Sequence, residues 1–484
     1  MRRTGIVAAV FLGAAGCMVG PDYRRPDVAA PPSWGELAPA APPAGRSDAV
    51  LGGTPTAWWT TFDDQVLMSL VARTVQANLS LQQAEARVRQ ARASRRIAAA
   101  DFWPQVGAAG SYAHERASKN VPSGQAGKVF DLFQAGFDAD WELDVFGGIR
   151  RSVEAADASL EAAEADRNAV LVSLMAEVGF DYVTYRSLQQ RIALASQNLA
   201  AQQSTLGLTR RLFDAGLAPE IDVQREAAQV ATTAATIPVL EQQAAQSMHA
   251  LGILIAQPPM ALQEELAAVG PIPKPPAEVE LGFPSELLLR RPDVARSERQ
   301  LAAQTAAIGV ATRDLFPRFF ISGAADLQSV HASDFFNWES RALSIGPSVS
   351  WPVFQGGRIR ANIELQTAAQ QELLAAYEAA VLQAFQDVED ALVTFSHQQA
   401  SRAQLEAAVR ANQRATDLAR RLYAQGLTDF LTVLVSEQSL FTSQDTLAQA
   451  ERDVALGLVS IYKAVGGGWE TPTAVLEGAA THPG

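Results

Sequence analysis

The chain is written twice. Trp141 and Trp351, Gly147 and Gly357, Ile149 and Ile359, Arg150 and Arg360, Arg211 and Arg421, Gly216 and Gly426, and Val223 and Val433 are pairs of identical residues, each pair 210 positions apart. No gap is needed across that stretch. Upstream, FWPQV at Phe102 and LFPRF at Leu315 correspond with an offset of 213, so a few residues were gained or lost between paired strands. A repeat of this length means two structurally equivalent units rather than a solenoid of short ones.

Each unit has the same contents. A helical segment, about Gln65 to Asp101 in the first and Asp293 to Asp314 in the second, runs into a proline and then two strand-like stretches. The stretch FDADWELDVF alternates: Phe137, Ala139, Trp141, Leu143 and Val145 are apolar, whereas Asp138, Asp140, Glu142 and Asp144 are acidic. An extended segment with that pattern has one greasy and one negative side. In a soluble sheet the acids would face water; in a membrane strand the apolar side would face lipid and the acids a water-filled lumen. The second unit repeats the motif with Leu343, Ile345, Val349, Trp351 and Val353 against Ser344, Gly346, Ser348 and Ser350. Strands are predicted at about 104–117 and 130–146, then at 317–329 and 342–354.

Long helices follow the strands. No proline occurs between Pro122 and Pro219, or between Pro352 and Pro472, and Ala, Gln, Leu, Glu and Arg dominate. A single helix from Ile149 to Phe213 is about 97 Å long at 1.5 Å per residue. Its apolar positions Leu171, Met175, Val178, Tyr182 and Tyr185 step by four and three, and Val381, Phe385, Val388, Leu392 and Phe395 repeat them. That is a coiled-coil seam. RLFDAGLAPEIDV and RLYAQGLTDFLTVL then place Gly216 or Gly426 at a left-handed C-cap before a returning helix. Long helices are predicted at about 149–213, 219–254, 358–424 and 428–465.

Arg2 and Arg3 precede an apolar run from Ile6 to Ala15, long enough for a signal peptide and too short to span a bilayer. The run ends LGAAGC. The lone Cys17, after three small residues, fits a bacterial lipoprotein site, with Ala14 where such sites more often carry leucine. The organisation is then a signal peptide over 1–16, a lipid-anchored Pro- and Ala-rich tether over 17–57, a first repeat over 58–257, a Pro-rich linker over 258–284, a second repeat over 285–466 and a tail over 467–484.

The formal net charge of -13 argues against a nucleic-acid partner. One cysteine excludes an intramolecular disulfide and any multi-cysteine metal site. The five histidines are far apart in sequence, and no HExxH, phosphate loop or GxSxG elbow occurs. No enzymatic chemistry, cofactor or metal is expected. Asp138, Asp140 and Asp144 lie in one row, but no histidine or further carboxylate cluster completes a metal site.

Two hairpins give four strands, and four amphipathic strands cannot close a barrel or hide their edges in lipid. The missing strands must come from other copies of the chain. Eight strands leave an interior filled by side chains, so a water-lined acidic face favours a trimer of twelve over a dimer of eight.

The residues resemble those of the TolC-like outer membrane factors, in their lipoprotein, NodT-type branch of multidrug efflux channels. CMVGPDYRRPDV resembles the mature N-terminus of that branch, WELDVFGGIRR the passage from strand into long helix, LLLRRPDVARSERQLAAQTAAIGVATRDLFP the start of the second repeat, and IYKAVGGGWE the C-terminal end. The resemblance implies a mainly α protein with a transmembrane β-barrel. Two repeats of long helical hairpins plus β-hairpins would form a trimeric twelve-stranded β-barrel joined to a periplasmic α-helical barrel, with the linker and tether as an equatorial belt. It implies a passive exit duct in the outer membrane, lipid-anchored and largely periplasmic. Its partners would be outer membrane lipid, two further copies, a periplasmic membrane-fusion adaptor and an inner-membrane pump of the RND type.

By the same resemblance, Gly216 and Leu217, with Gly426 and Leu427, would meet the adaptor and form the closed end. Family members commonly place an aspartate nine residues after the second tip glycine, where this chain has Val435. Asp222 keeps an acid at the first tip, and Asp417, Asp429 and Glu437 lie near the second. Ion pairs among Arg211, Arg421, Asp222, Asp417 and Asp429 are expected to tie the helix pairs shut, with solvated helix-end charges as the plain alternative. A non-conducting surface lipoprotein, serving as a coiled-coil adhesin or scaffold, would also explain the long helices and Cys17. It would not explain two-faced strands repeated in register.

Overall fold

The computed structural model describes residues 18–35, 48–51, 56–120, 126–276, 278–281, 284 and 290–470. Cys17 and the signal segment lie outside these residues, as does most of the C-terminal tail. The chain forms two compact units. One comprises Met1–Asp27, Arg87–Glu164 and Arg296–Glu378, the other Val28–Ala86, Ala165–Ala295 and Ala379–Gly484. No described helix is long and apolar enough to cross a membrane.

The helices are α1 (Gln65–Ala77), α2 (Leu79–Ala100), α3 (Gly148–Asp214), α4 (Glu220–Leu254), α5 (Pro292–Arg313), α6 (Arg358–Ala424) and α7 (Phe430–Ala464). The strands are β1 (Asp48–Leu51), β2 (Gln105–Arg116), β3 (Val129–Leu143), β4 (Glu278–Leu281), β5 (Arg318–Ser329) and β6 (Arg341–Ser350). α3 and α6 are each 67 residues long, and α4 and α7 each 35, so the duplication of sequence is a duplication of structure.

The first unit contains a four-stranded antiparallel sheet in the order β2-β3-β5-β6. Its register opposes Asp138 to Gly107 and Ala324, Asp140 to Gln105 and Ser322, and Gly136 to Asp326, while Ala324 faces Ser344. Because pleating alternates side chains, one face collects these small and polar residues. The other face collects Val106, Tyr112, Phe137, Trp141, Ile321, Leu343, Ile345 and Val349. Most of its apolar members stand open: Phe137 is 62 %, Leu343 83 % and Ile345 85 % exposed, while Trp141 and Ile321 are half-buried. Trp141 and Trp351 donate their indole N–H groups to the carbonyls of Phe102 and Leu315, at 2.9 and 3.1 Å. The repeat thus extends to the foot of each hairpin.

The second unit holds most of the buried aromatic residues. Trp58 is buried and stacks on Tyr462 with centroids 5.6 Å apart, edge-on to Trp59 and Phe62. The predicted seam residues of α3 and α6 are buried except Phe385, which is half-buried and edge-on to Trp34. The RRPDV motif is explained by packing. Arg291 donates to Asp293 at 2.7 Å, to Asp387 at 2.8 Å and to the carbonyls of Ala464 and Ala384 at 3.1 and 3.4 Å. One guanidinium therefore joins the start of α5 to α6 and to the last residue of α7. Pro292 opens α5, where a missing N–H costs nothing.

Four features differ from expectation. The single segment from Gln65 to Asp101 is broken at Asn78, whose Oδ1 accepts from the amides of Ser80 and Leu81 while its Nδ2 donates to the carbonyl of Leu254, at 2.8 Å. The tether is not wholly irregular, because β1 pairs in parallel with β4 inside the Pro-rich linker. β3 stops at Leu143, and β6 stops at Ser350, two residues before Pro352.

Candidate functional site

Asp138 and Asp140 lie side by side on the small, polar face of the sheet, and both are exposed. Asp140 accepts from the Ser322 hydroxyl at 2.5 Å. The Cβ that Gly107 lacks would come 2.9 Å from an Asp138 oxygen, so the glycine makes room for the carboxylate. Glu142 remains on this face at the foot of β3, ion-paired with Arg313. Asp144 does not belong to the row. Its carboxylate accepts from the backbone amides of Ile149 and Arg150, at 3.0 and 2.9 Å, and from Arg150 Nε at 3.1 Å. It closes the entry to α3, where unpaired N–H groups and the helix dipole favour an anion.

The helix tips match each other in detail. Gly216 has φ +70° and Gly426 φ +73°. Leu217 N–H donates to the carbonyl of Leu212 at 2.8 Å, and Leu427 N–H to that of Leu422 at 2.9 Å. Both are Schellman-type ends, which need a residue tolerant of left-handed backbone. The leucines project outward, Leu217 76 % and Leu427 69 % exposed.

The charged residues near the tips do not form the expected lock within the chain. Asp429 caps α7, accepting from the amide and hydroxyl of Thr432 at 2.9 and 2.6 Å, and these two bonds hold its carboxyl below the usual carboxylate range. Arg421 donates to the backbone carbonyl of Asp417 at 3.1 Å, while the Asp417 side chain accepts from Gln413. No ion pair among Arg211, Asp222, Asp417, Arg421 and Asp429 occurs among the described residues. Arg211 and Val435 are exposed.

The buried charges lie elsewhere. Glu437 accepts from Arg420 at 2.7 Å and from Thr205 at 3.0 Å, and Glu226 is fully buried. The sequence places Glu437 near the second tip but singles out neither Glu226 nor the burial of the pair. Their signal was an acid on an apolar stripe: Val223 and Glu226 on α4, and Val433, Glu437 and Leu440 on α7, all buried at helical spacing.

A family described as outer membrane efflux protein matches the chain twice, over 70–257 and 283–467. The chain belongs to that family. The outer membrane efflux protein family thus covers both structural repeats, and membership makes the chain an exit channel of the outer membrane. The pyoverdine export outer membrane protein OpmQ of Pseudomonas aeruginosa is 34% identical over 479 residues, covering 97% of this chain and 98% of that protein. Nodulation protein T of Rhizobium leguminosarum bv. viciae is 31% identical over 477 residues, covering 98% and 95%. The solved structure of the outer-membrane channel OprN superposes with a TM-score of 0.87 at 37% identity, covering 94% of this chain and 100% of that one. A mainly helical chain with the fold of a TolC-like channel favours the exit duct over a scaffold or adhesin. Its sheet is a share of a β-barrel.

Proposed function

We propose that three copies of the chain close one twelve-stranded barrel and act as the outer membrane duct of a tripartite efflux system. The observation that carries this reading is the sheet itself, which has one apolar face, one acidic and small face, and two open edges. β2 and β6 run antiparallel to each other, so head-to-tail joining of β6 to the next copy's β2 continues the alternation until the ring closes. In lipid both edges must be paired, and a barrel of twelve leaves room for water along Asp138 and Asp140 where one of eight does not. The hairpin loops then face outward and the long helices extend into the periplasm.

The exposed Leu217 and Leu427, held out by glycine turns, suit docking to the helical hairpins of a periplasmic adaptor that links the duct to an RND-type pump. Arg211, Asp222, Asp417, Arg421, Asp429 and Val435 surround these tips, where contacts between copies would narrow the passage. Cargo is chosen by the pump. Cys17, directly before the described residues, carries the lipid.

One experiment tests assembly and anchor together. Outer membranes from cells fed a fatty-acid probe are run on gels without heating. The parent is expected as a labelled, heat-sensitive trimer, and Cys17→Ser as an unlabelled trimer. Persistent labelling of the mutant contradicts the anchor, and a parent band at monomer size without heating contradicts the shared barrel.

A further inference from the structure

Near the tips the helices enclose a carboxyl that has nowhere to put a charge. Glu226 on α4 is 0 % exposed, and neither of its carboxylate oxygens has a hydrogen-bond partner among the described residues. Glu437 on α7 is 3 % exposed; its Oε1 takes the bonds from Arg420 Nε and Thr205 Oγ1, and its Oε2 has no partner. Thr205 belongs to α3 and Arg420 to α6. The cluster therefore draws one residue from each of the four helices that run to and from the tips.

Two buried carboxylates against one guanidinium leave a negative charge uncompensated, and an isolated buried carboxylate takes up a proton rather than stay charged. Once protonated, Glu226 becomes a donor, and the open Oε2 of Glu437 is an acceptor. The charged groups facing Glu226 are Glu437, which opposes its ionisation, and Arg420, which favours it; Thr205 adds only a hydroxyl. Asp222, one turn earlier on α4, acts on Tyr423 of α6. Burial first, and the Glu437 charge second, push the Glu226 carboxyl from 4.5 up to about 7 against the pull of Arg420.

We propose that Glu226 and Glu437 share a proton that latches the four tip helices together, and that loss of this proton loosens the tips. The latch rests on the reading of the tips as the closed end of the duct. Its sign follows from linkage. A carboxyl of raised pKa binds more proton in the packed state than in a loosened, hydrated one. Acid therefore favours packing, and that preference fades as pH rises from 4.5 through about 7, with the packed-to-loosened ratio falling up to about tenfold per pH unit.

Spin labels at Arg225 and Gln438, exposed positions on α4 and α7, report the separation of the two returning helices in the full-length protein. The parent is expected to show longer, broader distances at alkaline than at acid pH, with a midpoint near 7. Glu226→Gln is expected to keep the acid distribution throughout, and Glu226→Asp, which retains an acid, to keep the shift. If Glu226→Gln does not assemble, Glu437→Gln removes the opposing charge and should move the midpoint down. A parent without a shift overturns the latch, as does a Glu226→Gln protein that shifts like the parent or a Glu437→Gln protein with an unmoved midpoint. Conductance recorded on the same samples separates the two readings. Distances that respond to pH in a protein that never conducts leave the latch standing and sink the duct, whereas conduction with pH-independent distances sinks the latch alone.

Discussion

Phe137→Arg is expected to abolish recovery of the heat-sensitive oligomer, while Asp138→Asn, one residue away, leaves it intact. The two side chains stand on opposite faces of β3. Trp141 marks one end of the apolar band through its bond to Phe102, and the Tyr112–Phe133 ring pair, with centroids 5.0 Å apart, marks the other. Eight residues separate Trp141 from Phe133, about 26 Å of strand at ~3.3 Å per residue and about 20 Å after a tilt of roughly 40°. Phe137 is midway and faces outward. An arginine there costs about 2–4 kcal/mol in each copy, against about 0–1 kcal/mol at Trp141 near the interface. Asp138→Asn keeps the shape and polarity of a group already exposed. Equal loss from both substitutions would show that the sheet is not two-faced. Gel mobility before and after heating reads the result.

Arg291→Ala has the second large expected effect. The guanidinium is 10% exposed and satisfies two carboxylates and two carbonyls. Burial by itself would raise the Asp293 carboxyl, but the bond and charge of Arg291, with the backbone amides of Val294 and Asp293, more than reverse that and hold it below the usual carboxylate range. Removing the arginine takes the partner from Asp293 and Asp387, which at 38% and 36% exposure can still be hydrated, so the loss of the charge-assisted bonds is expected to cost about 1–3 kcal/mol. Linkage sets the pH dependence. A depressed carboxyl pKa contributes stability above its unfolded value of 3.8, and that contribution is lost as pH falls through the lower folded value. The parent should therefore weaken in strong acid, and Arg291→Ala should be less stable than the parent at neutral pH with a flatter acid response. Thermal unfolding across pH, followed by circular dichroism, measures both.

Much of this fold could be read in the chain because its signals are local and repeated. Gly216 and Gly426 sit where a left-handed turn must be, and the steps from Leu171 to Tyr185 describe a buried stripe without help from any neighbour. Misreadings arose where a residue serves a different element from the one its pattern suggests. Asp144 continues the alternation of β3, yet its carboxylate belongs to the first turn of α3. Asn78 interrupts a helical run with neither proline nor glycine, through side-chain bonds to Ser80, Leu81 and the distant Leu254. β1 and β4 are four residues each, too short for any periodicity, and exist only by pairing with each other. The Glu226 cluster was least legible, since Thr205 and Glu437 are 232 residues apart and only folding makes them neighbours.

The account rests on a water-filled passage shared between copies, and single-channel recording of the purified, lipid-reconstituted protein tests that most directly. The expected record shows discrete conductance steps with a preference for cations, set by the exposed Asp138 and Asp140 of each copy and weakening as salt rises. A folded, heat-modifiable oligomer that inserts into the bilayer and gives no steps would contradict it.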